Sequence, residues 1–245
     1  MENLHGREGV ARGVRRMDAS LNIVSPVYRF PNRQRAGQAL AEALARYRGR
    51  EDLIVLALPR GGVPVGYEIA LALDAPLDVF VVRKLGMPGH EELALGAIAP
   101  GGIRVVDQAL ARSYGIGNDV LDRITSREQA ELDRREHLYR DDRSSPELTG
   151  RTVILVDDGL ATGSTMRAAV TAVRGKQPRE IVVAVPVGAV ETCEALEHEG
   201  ATVICLTTPE PFYAVGLWYD DFSQTTDDEV HDLLERSAER FPAER

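Results

Sequence analysis

Short apolar runs rich in Val, Ile and Leu alternate along this chain with stretches of helical length. Each run has five or six residues, a length typical of strands that are buried on both faces in a parallel sheet. The runs cover residues 53–58, 77–82, 152–156, 181–185 and 202–206, and the helical stretches cover residues 34–47, 64–73, 164–174 and 189–199. This alternation predicts an α/β fold with three α/β/α layers around a mostly parallel, doubly wound sheet.

Two regions interrupt the alternation. Residues 83–107 are rich in glycine and are predicted to form a loop or hairpin, with a strand over residues 103–106. Residues 118–141 are predicted to form one long charged helix with an apolar stripe at Leu121, Ile124 and Leu138. Residues 1–25 have no regular period and are predicted to be a flexible tail, which leaves residues 26–245 as a single domain.

The net negative charge of the chain restricts the kinds of molecule that it is expected to bind. The chain has 245 residues and a formal net charge of −9, which argues against binding to nucleic acid or to an anionic membrane surface. A local basic pocket for a phosphorylated substrate remains compatible with that charge. The sequence contains no apolar run long enough to span a membrane and no apolar core of a signal peptide. With only two cysteines, the chain is expected to be cytoplasmic.

The most informative segment follows the run at residues 152–156. Asp157 and Asp158 come directly after this predicted strand, and the turn that leads into the next helix reads Ala161, Thr162, Gly163, Ser164, Thr165. The free N–H groups and the dipole at a helix start suit a phosphate group. The two carboxylates suit other partners: they can accept hydrogen bonds from ribose hydroxyls, or hold Mg²⁺ through water. No lysine follows Gly163, so the segment is not a Walker A loop.

Two further segments place positive charge at predicted strand ends. Arg60 and Gly61 lie between the first strand and its helix, where a glycine turn with an arginine suits a diphosphate. Arg83 and Lys84 end the second apolar run, and the Gly- and Pro-rich residues after them predict a mobile lid over residues 83–107.

An aromatic-rich segment follows the last predicted strand. It includes Phe212 and Tyr213 and lies within a hood segment at residues 207–222. The sequence leaves two interpretations open. The rings can stack on a planar base above a ligand cleft, or they can pack the C-terminal part of the chain onto the core.

Residues 153–166 resemble the motif with which type I phosphoribosyltransferases bind 5-phosphoribosyl 1-pyrophosphate (PRPP). The resemblance implies that Asp157 and Asp158 hold the ribose hydroxyls and that residues 161–165 wrap the 5′-phosphate. It also implies a pyrophosphate site and a sheet of strand order 3-2-1-4-5-6, in which the strand at residues 103–106 is antiparallel. The implied pyrophosphate-binding residues are Arg60, Gly61, Arg83 and Lys84.

The resemblance extends to the base and to the metal. It places Tyr213, or Phe212 in its stead, where a ring stacks on the base, and it places Asp220 near Mg²⁺ and pyrophosphate. Mg²⁺ is the implied cofactor, with Asp157, Asp158 and Asp220 as ligands either directly or through water and substrate. Enzymes that act on 6-oxopurines usually carry an aspartate where this chain has Ala161, so the loop is more like that of the adenine and uracil branches. The aromatic segment is more like the oxopurine branch, and the acceptor base therefore stays open.

These implications lead to one preferred function and two alternatives. The preferred function is an Mg²⁺-dependent phosphoribosyltransferase that transfers the phosphoribosyl group of PRPP to a small nitrogenous acceptor. Asp157, Asp158, Lys84 and Arg60 are its predicted catalytic residues, and a homodimer is the expected assembly. The first alternative is a regulatory module on the same fold that binds PRPP or a nucleotide without turnover. The second is a hydrolase that uses the same site with water as the nucleophile.

Overall fold

The computed structural model describes residues 29–140 and 145–241, except for the side chains of Glu91 and Glu92. The predicted tail at residues 1–25 lies outside the described residues. The helices are α1 (Arg33–Ala43), α2 (Gly62–Leu73), α3 (Gln108–Ser113), α4 (Asn118–Arg140), α5 (Ser164–Arg174), α6 (Val190–His198) and α7 (Asp227–Arg240). The strands are β1 (Leu53–Ala57), β2 (Leu77–Val79), β3 (Arg83–Met87), β4 (His90–Ala99), β5 (Ile103–Val106), β6 (Thr152–Val156), β7 (Glu180–Val187) and β8 (Thr202–Thr207).

Five parallel strands form the main sheet in the order β2-β1-β6-β7-β8. Every residue of β1 and β6 is buried, as continuous apolar runs predict for strands covered on both faces. Val55 and Ile154 point into a core shared with α1 and α2, whereas Leu56 and Leu155 point into a second core shared with α5 and α6. The predicted α/β class and its three layers are confirmed.

The strand at residues 103–106 does not lie where the resemblance implied. The parallel part of the implied order is correct, but β5 pairs antiparallel with β4 in a separate three-stranded sheet of order β3-β4-β5. The outer edge of β2 is instead covered by Arg140, which donates a hydrogen bond to the Val79 carbonyl at 2.7 Å and pairs with Asp78. An edge occupied by this side chain is closed to a further strand. The predicted loop or hairpin at residues 83–107 is therefore an antiparallel sheet of its own.

The long helix α4 has a different buried stripe from the predicted one. Leu121 and Ile124 are buried as expected, but Leu138 is 40% exposed. Leu132 and Tyr139 continue the stripe instead. Steps of three, eight and seven residues keep these four side chains near one face of the helix, and Leu138 lies about 100° around the axis from Tyr139. This placement lets α4 pack on the small sheet through Leu85 and Met87.

In the part of the chain that the structure describes, no helix has the length and apolar character needed to cross a membrane.

Candidate active site at the carboxyl edge of the sheet

The acid pair lies at the carboxyl end of β6, in the middle of the main sheet. The Asp157 carboxylate accepts a hydrogen bond from the backbone N–H of Asp158 at 2.9 Å. Burial, and then the neighbouring charge of Asp158, raise the pKa of Asp157 well above its ordinary value. Burial also raises the pKa of Asp158, although Arg33 opposes that shift. A cation or a set of hydroxyl donors at this position would relieve the cost of burying two adjacent carboxylates.

Arg33 is a site residue that the sequence did not indicate. Its Nε donates to Asp158 Oδ2 at 2.8 Å, and both side chains are nearly buried. The guanidinium also stacks over the ring of Phe222 at 4.0 Å and donates to the Ser223 carbonyl at 2.6 Å. Arg33 therefore ties the start of α1 and the segment beyond residue 219 to the acid pair. No motif marks this arginine, because its partners lie 125 and 190 positions away.

The predicted phosphate loop has the conformation that an anion site needs. Gly163 stands at the N-terminus of α5 with a φ of +66°, in the left-handed region that favours glycine. A Cβ on Gly163 would lie 2.3 Å from the methyl group of Thr192, whose hydroxyl donates to the Ala161 carbonyl at 2.7 Å. Thr192 on α6 is thus a second residue that sequence reasoning missed. Since the first N–H groups of a helix have no intrahelical acceptor, this turn presents donors to a phosphate.

The loop between β1 and α2 packs directly against the acid pair. A Cβ on Gly61 would lie 2.0 Å from Asp158 Oδ2, so only glycine allows this approach. The peptide bond between Pro59 and Arg60 is cis. The Arg60 guanidinium points towards α7, where it lies 3.7 Å from Asp227, a carboxylate that also accepts a hydrogen bond from the Tyr139 hydroxyl. The structure thus brings Gly61 to the acid pair, while the Arg60 side chain has a carboxylate partner at the rim.

Lys84 and Arg83 begin β3 and have different partners. The Lys84 ammonium donates to the Ser164 hydroxyl at 3.1 Å, which joins the small sheet to the phosphate loop. The Arg83 guanidinium donates two hydrogen bonds, of 2.7 and 3.0 Å, to Oε2 of Glu128 on α4. Only Lys84 of these two cations therefore contacts the loop, and Glu128 is another partner that local spacing did not indicate.

Comparison with known proteins identifies the family of this chain. The family model for the phosphoribosyl transferase domain matches residues 24–209. The chain belongs to the phosphoribosyl transferase family. A solved structure, TT1426 from Thermus thermophilus, is 44% identical, has a TM-score of 0.79, and the match covers 85% of this chain and 98% of that one.

Two curated relatives from Mycobacterium tuberculosis are longer members of the phosphoribosyl transferase family. They are named "Putative phosphoribosyl transferase Rv0571c" (strain H37Rv) and "Putative phosphoribosyl transferase MT0597" (strain CDC 1551). Each is 43% identical over 212 residues, a match that covers 86% of this chain and 48% of the relative. The chain therefore spans about half the length of the curated relatives it matches.

The aromatic segment lies beyond the part that the phosphoribosyl transferase model matches. Phe212 is half-buried and lines a cavity of about 530 Å³ beside residues 189–191 and 209–211. Tyr213 is 78% exposed. The Tyr219 hydroxyl donates to the Asp158 carbonyl at 2.6 Å, so the segment also packs onto the site. The residues that line this cavity include neither the acid pair nor the phosphate loop, so the structure shows the packing role, through Tyr219, and stacking of a base on Phe212 stays a prediction.

The residues of this candidate site fit Mg²⁺ only in part. Asp157 and Asp158 supply the oxygen atoms that Mg²⁺ prefers, and their burial favours a cation. Among the described residues, no group of three or more His, Cys, Asp or Glu side chains is arranged to hold a metal ion. Asp220 is exposed, and its backbone N–H donates to the Phe30 carbonyl at 2.9 Å. This donor set suits an ion that takes most of its ligands from water and substrate, as Mg²⁺ does at phosphate sites.

Proposed function

We propose that this chain transfers the 5-phosphoribosyl group of PRPP to a nitrogen atom of a small heterocyclic acceptor and releases pyrophosphate. One observation supports the proposal above all: Lys84 contacts Ser164, the first residue of α5, and the turn that leads into α5 starts at the acid pair. The residues proposed for a phosphate, for hydroxyl groups and for a leaving group are thus linked by one contact and one turn. The two free cysteines support a reaction in the reducing cytosol.

The binding roles follow from charge and burial. The 5′-phosphate would lie at the N-terminus of α5, where N–H donors and the helix dipole stabilise an anion. The ribose 2′- and 3′-hydroxyls would donate to the carboxylates of Asp157 and Asp158. These hydroxyl groups would supply hydrogen bonds that the buried carboxylates do not receive from water. The binding energy gained in this way would hold the sugar in one orientation.

Catalysis would consist mainly of stabilising the leaving group. As the bond from ribose C1 to the pyrophosphate oxygen breaks, its electron pair moves to that oxygen, and the acceptor nitrogen supplies the pair for the new bond. The Lys84 ammonium would stabilise the developing negative charge, and Arg60 would join it by exchanging its partner Asp227 for pyrophosphate. Bound Mg²⁺, held by Asp157, Asp158 and water, with Asp220 as a further proposed ligand, would supply additional positive charge at the diphosphate.

The small sheet would act as the lid. Residues 83–107 carry Lys84 at one end, so a movement of β3 and β4 would bring the cation to the leaving group and exclude water in one step. Water is a competing nucleophile at ribose C1, and its exclusion favours transfer over hydrolysis.

One observation favours a second function. The ion pair of Arg33 with Asp158 occupies one of the two carboxylates that would bind the ribose. A site that is already charge-compensated suits a regulatory module that binds PRPP or a nucleotide without turning it over. The two functions differ in whether pyrophosphate is released.

Titration calorimetry with PRPP, with and without Mg²⁺, tests the proposal. We expect Mg²⁺-dependent binding that the double variant Asp157→Asn/Asp158→Asn lacks. The matched control is Asp119→Asn/Asp122→Asn, which removes two exposed carboxylates of α4. A screen of nucleobases for pyrophosphate release then separates the functions. Release with one base supports the transferase, binding without release supports the regulatory module, and no binding at millimolar PRPP contradicts both.

A further inference from the structure

A positively charged cleft of about 340 Å³ lies between β3, α4 and the start of α5. The described side chains that line it include four cations, Arg83, Lys84, Arg127 and Arg135, and one carboxylate, Glu128. Thr165 of the phosphate loop lies at its border. This concentration of positive charge is unexpected in a chain of net charge −9, and it indicates a site for an anion.

Partly buried hydrogen bonds connect the cations in the wall of the cleft to carboxylates of α4. Glu128 is only 8% exposed, and its two oxygen atoms bind two different guanidinium groups. Oε2 accepts from Arg83, and Oε1 accepts from Arg127 at 3.0 Å. Arg135 is fixed separately by a hydrogen bond of 2.7 Å to Glu131. Side chains that are already ordered lose little entropy when a ligand binds, so these arginines are prepared for an anion.

The spacing of the cations indicates the length of the anion. Arg127 and Arg135 are eight positions apart on α4, which corresponds to about 12 Å along the helix axis. Lys84 lies towards the phosphate loop, where it contacts Ser164. The cations of the cleft thus come from two elements, β3 and α4, and a chain of several phosphates can contact more of them together than a diphosphate at Lys84 can. A guanidinium group can donate two parallel hydrogen bonds to two oxygen atoms of a phosphate. Several arginines together therefore favour a ligand with several phosphate oxygens over a single carboxylate.

We propose that this cleft binds an oligophosphate, a chain of at least three linked phosphates, either inorganic or attached to a nucleoside. Arg127 and Arg135 form the part of the site that α4 adds beyond Lys84. A ligand bound there would also occupy Lys84 and would therefore compete with pyrophosphate. This competition rests on the proposed function, whereas the binding itself does not.

Titration calorimetry in EDTA, with pyrophosphate, tripolyphosphate and ATP as probes, tests the inference. We expect tripolyphosphate to bind at least about tenfold more tightly than pyrophosphate to the unmodified chain. In Arg127→Gln/Arg135→Gln this preference should disappear, with pyrophosphate affinity changed by less than about threefold. The matched control is Arg112→Gln/Arg123→Gln, which removes two exposed arginines outside the cleft, one on α3 and one on α4. Circular dichroism verifies that both variants fold.

The outcomes distinguish an inorganic phosphate chain from a nucleotide, and they test this inference separately from the proposed transferase function. Equal binding of ATP and tripolyphosphate indicates recognition of the phosphate chain alone, and tighter binding of ATP indicates a nucleotide ligand. Equal affinity for pyrophosphate and tripolyphosphate contradicts the inference, as does an equal loss in the control variant. A chain that binds tripolyphosphate but never releases pyrophosphate from PRPP would disprove the transferase and leave this inference intact.

Discussion

The ammonium group of Lys84 lies 3.1 Å from the hydroxyl of Ser164 and donates a hydrogen bond to it. Lys84 begins the small antiparallel sheet, and Ser164 is the first residue of α5. The contact therefore joins the proposed lid to the proposed phosphate site. It also places the cation proposed to stabilise the leaving group next to the residue proposed to bind the 5′-phosphate.

Replacement of Lys84 tests whether this cation takes part in catalysis. We expect Lys84→Met to lower kcat/KM for PRPP by about 10²- to 10³-fold, because the developing charge on pyrophosphate loses its nearest ammonium. The chain's other lysine provides the control: Lys176→Met removes an exposed ammonium near the Gly101 carbonyl and should leave the rate unchanged. Steady-state assays of pyrophosphate release measure both variants. Full activity of Lys84→Met would remove this residue from the mechanism.

The acid pair predicts a particular dependence of stability on pH. Because burial raises the pKa of Asp157, the folded chain retains a proton there above about pH 4, where an unfolded aspartate has lost it. Stability therefore falls as the pH rises through the raised pKa. We expect Asp157→Asn to show a weaker fall in the free energy of unfolding as the pH rises above about 4. Urea denaturation at several pH values measures this slope, and the exposed Asp119→Asn serves as the control. An unchanged slope in Asp157→Asn would contradict the assignment.

The Arg33 contacts predict a loss of stability that a neighbouring arginine does not share. Arg33→Gln leaves Asp158 nearly buried without its cation and removes the stack on Phe222. We expect a cost of about 3 kcal/mol in the free energy of unfolding. Arg35→Gln, on the same helix and paired with Gln38, should cost less than about 0.5 kcal/mol. Equal, small effects in denaturant titrations would show that the pair with Asp158 contributes little.

The two neighbouring rings at the hood should contribute differently to acceptor binding. Phe212 lines the 530 Å³ cavity, whereas Tyr213 is largely exposed. We expect Phe212→Ala to raise the KM for the acceptor by roughly five- to tenfold, and Tyr213→Ala to change it by less than about twofold. Initial rates with the base found in the nucleobase screen measure both values. The reverse order would favour the alignment that places Tyr213 on the base.

The sequence predicted best those parts that depend on local order. The five parallel strands were recognisable because burial on both faces produces unbroken apolar runs. The start of α5 was recognisable because a strand, two acids and a glycine turn follow one another directly. Contacts between distant segments were not predictable, and these include Arg33 with Asp158 and Arg83 with Glu128. The same holds for Arg140, which contacts the edge of β2 from α4.

Some predictions remain open for a different reason. The predicted homodimer and the predicted single domain are untested. The roles of Phe212, Tyr213 and Asp220 depend on ligands, because the sequence gives the positions of these residues but not what they bind. The error at Leu138 is of another kind, because one position along a helix turns a side chain by about 100°.

The closeness of Gly61 to Asp158 also restricts how this site can diverge during evolution. The two positions are almost a hundred residues apart in the chain, yet a methyl group at one would overlap the carboxylate of the other. Asp158 cannot simply turn aside, because it is held by Arg33. A lineage can therefore accept a side chain at position 61 only together with a smaller or displaced residue at position 158. Substitutions at the two positions should therefore occur together, and loss of the glycine would mark descendants that no longer use the acid pair.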